Sequence, residues 1–181
     1  MEDIIFKSDS SLDKSSKQKM LFVGAIMVFA SIPCLIGLII YKHKVLLPFS
    51  IGLPGLYLIL LIIGFINKPI TYILTNSVLY INRHKGLIRI KLSDIKLIKE
   101  FSKEDSKGLY RKFGAEGLFG NFGIYSSKLH KTFTVYTSRD TNWVLIETTF
   151  GKKIVISPDD LKLIDKTKEI INKNYGAKQS V

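Results

Sequence analysis

The residues best placed to do chemistry lie in Arg111–Tyr125, RKFGAEGLFGNFGIY, where glycine recurs at 114, 117, 120 and 123. Glycine runs can cradle phosphates, but this spacing is G-x-x-G rather than G-x-G-x-x-G, and no Gly-Lys-Ser/Thr follows. Collagen needs many more repeats with imino acids in them. The remaining reading is a loop or irregular strand whose backbone takes positive φ or passes close to another segment, with Gly114, Gly117, Gly120 and Gly123 as structural glycines. Phe113, Phe119 and Phe122 then pack inward from that path, or meet a membrane or a partner. Cations surround the stretch: Lys103, Lys107, Arg111, Lys112, Lys128 and Lys131. Aromatic rings in an interface with Lys/Arg on phosphates describe a bilayer contact; an oligomer contact uses the same residues. Arg111, Lys112, Phe119, Phe122, Lys128 and Lys131 are therefore the candidate lipid- or partner-binding set.

No catalytic constellation accompanies them. His84 and His130 have no Cys or carboxylate at ligand spacing, and His43 falls between two apolar runs, which argues against a metal site. Asp159-Asp160 is explained by helix capping, and Ser15-Ser16-Lys17 and Ser127-Lys128 are too short to indicate a nucleophile. The sequence thus points away from an enzyme and calls for no cofactor.

These residues must be positioned by two very different parts of the 181-residue chain. Met20–Tyr41 and Val45–Ile66 are each 22 residues long and contain no charge, against the roughly 20 needed to cross a bilayer as helix. Lys42-His43-Lys44 leaves room for a tight turn between them. A cleaved signal peptide fits poorly, because 19 mostly polar residues precede the first run and a second follows at once. Pro33, Pro48 and Pro54 interrupt the runs, but neither run holds an ionisable side chain, so they read as an anchor rather than a transport path. Cys34 is the only cysteine, which excludes an intrachain disulfide.

Charge is uneven. Residues 1–19 balance four lysines against four acids, whereas from Asn67 onward 21 Lys/Arg face 11 Asp/Glu, most of the net +12. The positive-inside rule places both termini and the basic region in the cytoplasm. A basic surface at a membrane suits anionic headgroups; nucleic acid is disfavoured, since no helix-turn-helix or aromatic β-platform is present.

After Asn67 the hydrophobic period shortens to that of strands, over residues 70–75, 78–82, 87–92, 95–101, 132–137, 143–148 and 152–156. Ser157-Pro158-Asp159-Asp160 then reads as a helix start, and an amphipathic helix runs to about Asn174, ended by Gly176. The fold class is an N-terminal transmembrane α-hairpin followed by a mainly β domain with one C-terminal helix. The divisions are a polar tail 1–19, a hairpin 20–66 (spans 20–41 and 45–66), a cytoplasmic domain 67–175 and a tail 176–181.

The order of these words resembles a known family. Tyr72-x-Leu74-Thr75, Leu79-x-Ile81, Ile88-x-Ile90-x-Leu92 and Asp94-Ile95 look like the opening of bacterial pleckstrin-homology-like (PH) domains. Phe113-Gly-x-x-Gly117-Leu-Phe-Gly120 through Val144-Leu-Ile to Ile156-Ser-Pro158 is similar to a membrane-tethered subgroup. The resemblance implies a strongly bent seven-stranded antiparallel sandwich or barrel capped by a helix. It implies binding rather than catalysis: a scaffold at the inner membrane surface engaging a protein partner, a further copy or anionic lipid. The alternative is an accessory subunit of a larger membrane complex acting through its hairpin.

Overall fold

The computed structural model describes residues 3–12, 14–41, 47–116 and 119–175. Two helices and ten strands precede a C-terminal helix among these residues. Helix α1 (Lys14–Tyr41) and helix α2 (Leu47–Asn67) contain the two apolar runs, with Pro33 and Pro54 inside them. Both are long and apolar enough to cross a membrane, and only 11% of the most apolar window of each is buried. They pack on each other through a small-large fit: the Tyr57 hydroxyl donates to the Met20 carbonyl at 3.0 Å, and Gly24 leaves the space its ring occupies. The Lys42-His43-Lys44 turn lies outside the described residues.

The β part has two sheets. The first has the order β1-β2-β3-β4, from β1 (Ile4–Asp9), β2 (Pro69–Thr75), β3 (Val78–Arg83) and β4 (Gly86–Lys91). The second has the order β5-β9-β10-β8-β7-β6, from β5 (Ile95–Glu100), β6 (Tyr110–Glu116), β7 (Asn121–Ser126), β8 (Phe133–Thr137), β9 (Val144–Thr148) and β10 (Lys153–Ile156). All neighbours are antiparallel except β8 and β10. Each of the seven runs read from the sequence is a strand. Three strands are additional. Ile4–Asp9, expected within a polar tail, is β1 and pairs with β2 from Ile4↔Thr75 to Asp9↔Thr71. The glycine stretch, expected as a loop or irregular strand, forms the paired strands β6 and β7 with a register shift between Arg111 and Phe113, because its glycines permit an approach that side chains would not.

That ladder explains the repeat. Gly114 and Gly123 face each other across β6–β7, with φ of 123° and 127°. A Cβ on either would lie 2.7 Å from the other's Cα and closer still to the partner strand's carbonyl. Gly120, at φ 117°, abuts the Thr137 carbonyl and Ser138 in the same way. Gly117 lies outside the described residues.

Alternation along strands sends residues to opposite faces, and the second sheet uses both. Val144, Ile146, Ile154 and Ile156 join Tyr72, Leu74, Leu79, Ile81 and Ile90 of the first sheet in one core. Helix α3 (Lys162–Tyr175) adds Leu163, Ile164 and Ile170 to it. Leu145 and Val155 face the other way, into a second cluster with Tyr125, Phe133 and Val135, covered by Phe101, Leu109 and Trp143. Burial on two faces is why VLI and IVI read as continuous apolar runs.

The start of α3 differs from expectation. Asp160 caps it, its carboxylate accepting from Lys162 N at 2.9 Å. Ser157 and Asp159 are drawn elsewhere by stronger geometric demands. Ser157 Oγ accepts from Ser138 N at 2.9 Å, and Asp159 accepts from Ser11 N at 2.9 Å and from Arg139. Tyr72, fully buried, joins four elements through one hydroxyl: it donates to Tyr136 O at 3.0 Å and accepts from Ser157 N at 3.1 Å and Ser10 Oγ at 3.3 Å. Burial pushes its phenol pKa up. Residues 176–181, with the expected helix stop at Gly176, lie outside the described residues.

Two expected outcomes follow for unfolding monitored by the single tryptophan, Trp143. Tyr72→Phe leaves a buried N–H and C=O unpaired and should cost roughly 2 kcal/mol; a loss under about 0.5 kcal/mol contradicts the hub. Gly86 has φ 125° but nothing near its missing Cβ, so Gly86→Ala tests backbone strain alone, at about 1–2 kcal/mol. Gly123→Ala adds the collision with β6 and should cost more; equal losses contradict the crowding.

Candidate binding site

The ends of the two long helices mark one end of the β domain. Lys19, the last charge before the apolar run of α1, pairs with Asp140 at 2.6 Å in the β8–β9 connection. At the end of α2, Phe65 stacks on His84 with 4.2 Å between centroids and meets Phe119 edge-on at 5.8 Å. Lys85 N donates to Ile66 O at 2.9 Å. Burial, with the Lys17 ammonium nearby, pushes the Lys68 amine pKa down. The helix roots, the β3–β4 turn, the β6–β7 tip and the β8–β9 connection thus share one end. Strands β6 and β7 run from it to the opposite end, roughly 17 Å away over five residue steps from Asn121 to Ser126.

Two hollows flank this hairpin. The first is a groove of about 390 Å³ lined by Lys19, Lys103, Arg111, Tyr110, Tyr125, Asp140 and Trp143, among others. Its charged lining is three cations, Lys19, Lys103 and Arg111, with two carboxylates, Glu100 and Asp140, around the apolar surface of Phe101, Leu109, Tyr125 and Trp143. Lys103 and Arg111 form no ion pair among the described residues, while Lys19 is held by Asp140. Trp143 is oriented by its indole N–H, which donates to Arg139 O at 2.7 Å. The second is a basin of about 440 Å³ at the opposite end, lined by Gly108, Tyr110, Lys112, Ser126, Ser127, Lys128 and Lys131.

The candidate residues are therefore divided. Arg111 faces the groove, and Lys112, Lys128 and Lys131 meet in the basin. Phe119, at φ 59°, belongs to the helix root. Phe122 is buried and drops out of any contact surface. The phenylalanine of the repeat that does reach solvent is Phe113, 75% exposed. Sequence reasoning did not bring Lys19 or Trp143 to the site, because only the fold carries the α1 root to the β8–β9 connection.

A family model described as a bacterial PH domain matches residues 70–170, more than half of the chain. The chain belongs to the bacterial PH domain family. The matched span runs from β2 into α3 and leaves β1, α1 and α2 outside it. Neither the curated proteins nor the solved structures give a match. Domains of the PH type are generally non-catalytic binding modules, so the groove and the basin are read as binding surfaces.

Within the PH domain one polar network fixes both hollows. The connection 102–109 crosses the second core carrying Asp105, whose carboxylate is fully buried. Its Oδ1 lies 2.7 Å from His130 Nε2 and 2.9 Å from Lys99 Nζ, and its Oδ2 accepts from Ser102 N at 2.8 Å. Lys153 Nζ approaches His130 Nδ1 at 3.4 Å. The Nε2–H tautomer satisfies both contacts, donating to Asp105 and accepting from Lys153. Burial alone would raise the Asp105 pKa, but hydrogen bonds from Lys99, His130 and Ser102 outweigh it and hold the carboxyl well below its ordinary range. No sequence spacing announces this pair. Among the described residues no group of three or more His, Cys, Asp or Glu could hold a metal ion.

A folded pKa below the unfolded value of 3.8 makes the stabilisation complete above that value, and it fades as pH falls through the folded pKa. Asp105→Asn should therefore destabilise the domain by roughly 2–3 kcal/mol at pH 7. The gap to the wild type should narrow as the medium is acidified below about pH 4. A gap that stays constant with pH would place the effect in packing instead of charge.

Proposed function

We propose that the protein is a membrane-anchored, non-enzymatic binding module that takes an anionic lipid headgroup in the groove beside the root of α1. One observation carries this reading. Lys19 is both a wall of the groove and the last charge before 22 uncharged residues. In a spanning α1 that position sits at headgroup depth. Lys103 and Arg111 then supply charge for the phosphate, and Tyr125 and Trp143 an apolar surface for the adjoining glycerol and acyl carbons. The outward-facing apolar side chains of α1 and α2, including Phe22, Phe29 and Ile39, support spanning over a soluble core role, since water would make such faces costly. Spans 20–41 and 45–66 anchor the chain in the cytoplasmic membrane, with both termini and the domain of 67–175 in the cytoplasm as the positive-inside bias requires. The seven strands read from the sequence, with α3, are taken as the bent PH-like core; β1, outside the matched span, is an addition to it.

Each cation near an anionic surface contributes about 1 kcal/mol. Lys103→Ala with Arg111→Ala should therefore lower the preference for an anionic over a zwitterionic lipid by roughly 30-fold. Native mass spectrometry of the full-length protein in mild detergent, titrated with each lipid, measures this ratio. Equal retention of anionic lipid by wild type and double variant refutes the groove as a headgroup site.

A further inference from the structure

We infer that the outer edge of β4 is a strand-addition site for an extended segment of a partner protein in which acidic and apolar residues alternate. It goes beyond the headgroup reading, shares no residue with the groove or the basin, and stands or falls separately.

Among the described residues four strands lie at sheet edges, β1 and β4 in the first sheet and β5 and β6 in the second. Three of them carry a register shift, at Ile4/Phe6 in β1, Ile95/Leu97 in β5 and Arg111/Phe113 in β6. Such a shift bends the strand and breaks the row of donors and acceptors that a further strand needs. Strand β4 is the regular one, paired with β3 at every residue from Gly86 to Lys91. Its hydrogen-bond phase is fixed by Leu92 N, which donates to Ser77 O at 2.8 Å. Alternation in an antiparallel ladder then turns Gly86, Ile88 and Ile90 toward β3. The N–H and C=O groups of Leu87, Arg89 and Lys91 are left directed outward.

The space beside this edge is shaped for side chains. A hollow of about 280 Å³ lies between β4 and the β9–β10 turn. Its floor is Ile88, Ile90 and Ile154, which belong to or pack on the main core. Phe150 stands at its rim, 83% exposed. The turn that presents Phe150 is held by Gly151 N to Thr148 O at 2.9 Å and by Thr149 N to Asp94 O at 2.8 Å. A fixed aromatic ring in water beside an opening to the core is costly unless another chain covers it.

Charge selects the occupant. Arg89, Lys91 and Lys152 line the hollow against one carboxylate, Asp94, whose Oδ1 accepts from Ser93 Oγ at 3.0 Å. A second copy paired antiparallel about Arg89 would set Arg89 against Arg89, so like charges meet at the centre. An acidic strand brings the opposite sign. Opposed residues share a face, so its acidic side chains lie with Arg89 and Lys91 and its apolar ones with Ile88 and Ile90 over the hollow. The cations that deter self-pairing thus admit this partner. The hollow takes residues 88–91 of β4, the half away from the α2 root where Lys85 N meets Ile66 O, which favours a protein over the bilayer.

The test is fluorescence polarisation of a labelled heptapeptide, Glu-Ile-Glu-Val-Glu-Ile-Glu, titrated with the full-length protein in nanodiscs of zwitterionic lipid. Saturable binding is expected, weakened at least about tenfold in Arg89→Glu/Lys91→Glu and about tenfold when Lys replaces Glu throughout the peptide. Trp143 fluorescence and the unfolding midpoint verify that the variant folds. N-methylation of one alternate set of peptide amides should abolish binding, and of the other set leave it within about twofold, because one set faces β4. Hydrogen exchange at the Leu87, Arg89 and Lys91 amides should slow when the peptide is added. The absence of saturable binding overturns the inference, as does equal binding of the Lys peptide or no change in the double variant. An equal response to the two N-methylated sets makes the contact electrostatic and also overturns it. Full protection of the three amides before the peptide is added gives the edge to a second copy or to lipid, with the same consequence.

Discussion

Strands β1 and β2 are hydrogen-bonded neighbours, yet the whole of α1 and α2 lies between them in the chain. Most of the remaining architecture depends on that constraint. Adjacent antiparallel strands are about 4.8 Å apart, so the polypeptide leaves the sheet and returns to it at almost one point. The exit spans residues 10–13 and the return is Lys68 alone. A long flexible linker would let the domain turn freely below the helices; here there is none. The exit is further closed by hydrogen bonds that join Ser10 to Ser138 at 2.8 Å, Asp159 N to Asp9 O at 3.0 Å and Asp160 N to Ser8 Oγ at 3.1 Å. These bonds are shielded in a buried or half-buried setting, where leaving a partner unmade is expensive.

The glycine hairpin answers to the same end of the domain. Its tip approaches α2 through Phe119 and Phe65, and its body must lie against β8 closely enough for Gly120 to touch the Thr137 carbonyl. Removing side chains at Gly114, Gly120 and Gly123 lets three strands approach there. The exposed side chains that the hairpin keeps, Arg111, Lys112 and Phe113, then project into different surroundings. A feature that first suggests ligand chemistry in its backbone is a packing device whose flanks carry the candidate cations.

Much of the fold was legible in sequence because periodicity reports burial directly. The seven strands of 70–101 and 132–156, the two apolar helices and the amphipathic face of α3 all follow from spacing. What escaped was decided by partners distant in the chain. Residues 4–9 show no strong alternation, and only pairing with β2 makes them a strand. Ser157 and Asp159 have every local property of helix caps but lie beside Ser138, Ser11 and Arg139, which take their hydrogen bonds. At the site, the cations flanking the glycine run were visible. Their separation into two hollows was not, because Lys112 falls in a register shift between Arg111 and Phe113 that only the pairing of β6 with β7 reveals. Asp105 and His130, 25 residues apart, carry no motif at all.

That division has a physical consequence for a chain of net charge +12. If α1 and α2 span a bilayer, as proposed, a cation at their roots such as Lys19 acts at headgroup depth, where attraction for anionic lipid is local. Lys128 and Lys131, in the turn beyond the far end of β7, lie about a strand-length from that root, so screening weakens the effect of one cluster on the other. The Asp105–His130 pair ties the connection whose Ser102, Lys103 and Ser106 line the groove to the turn whose Ser127, Lys128 and Lys131 line the basin. It fixes the position of each site without connecting their charges. Because β1 and β2 pair on either side of the two helices, that division of charge keeps a fixed place relative to their roots.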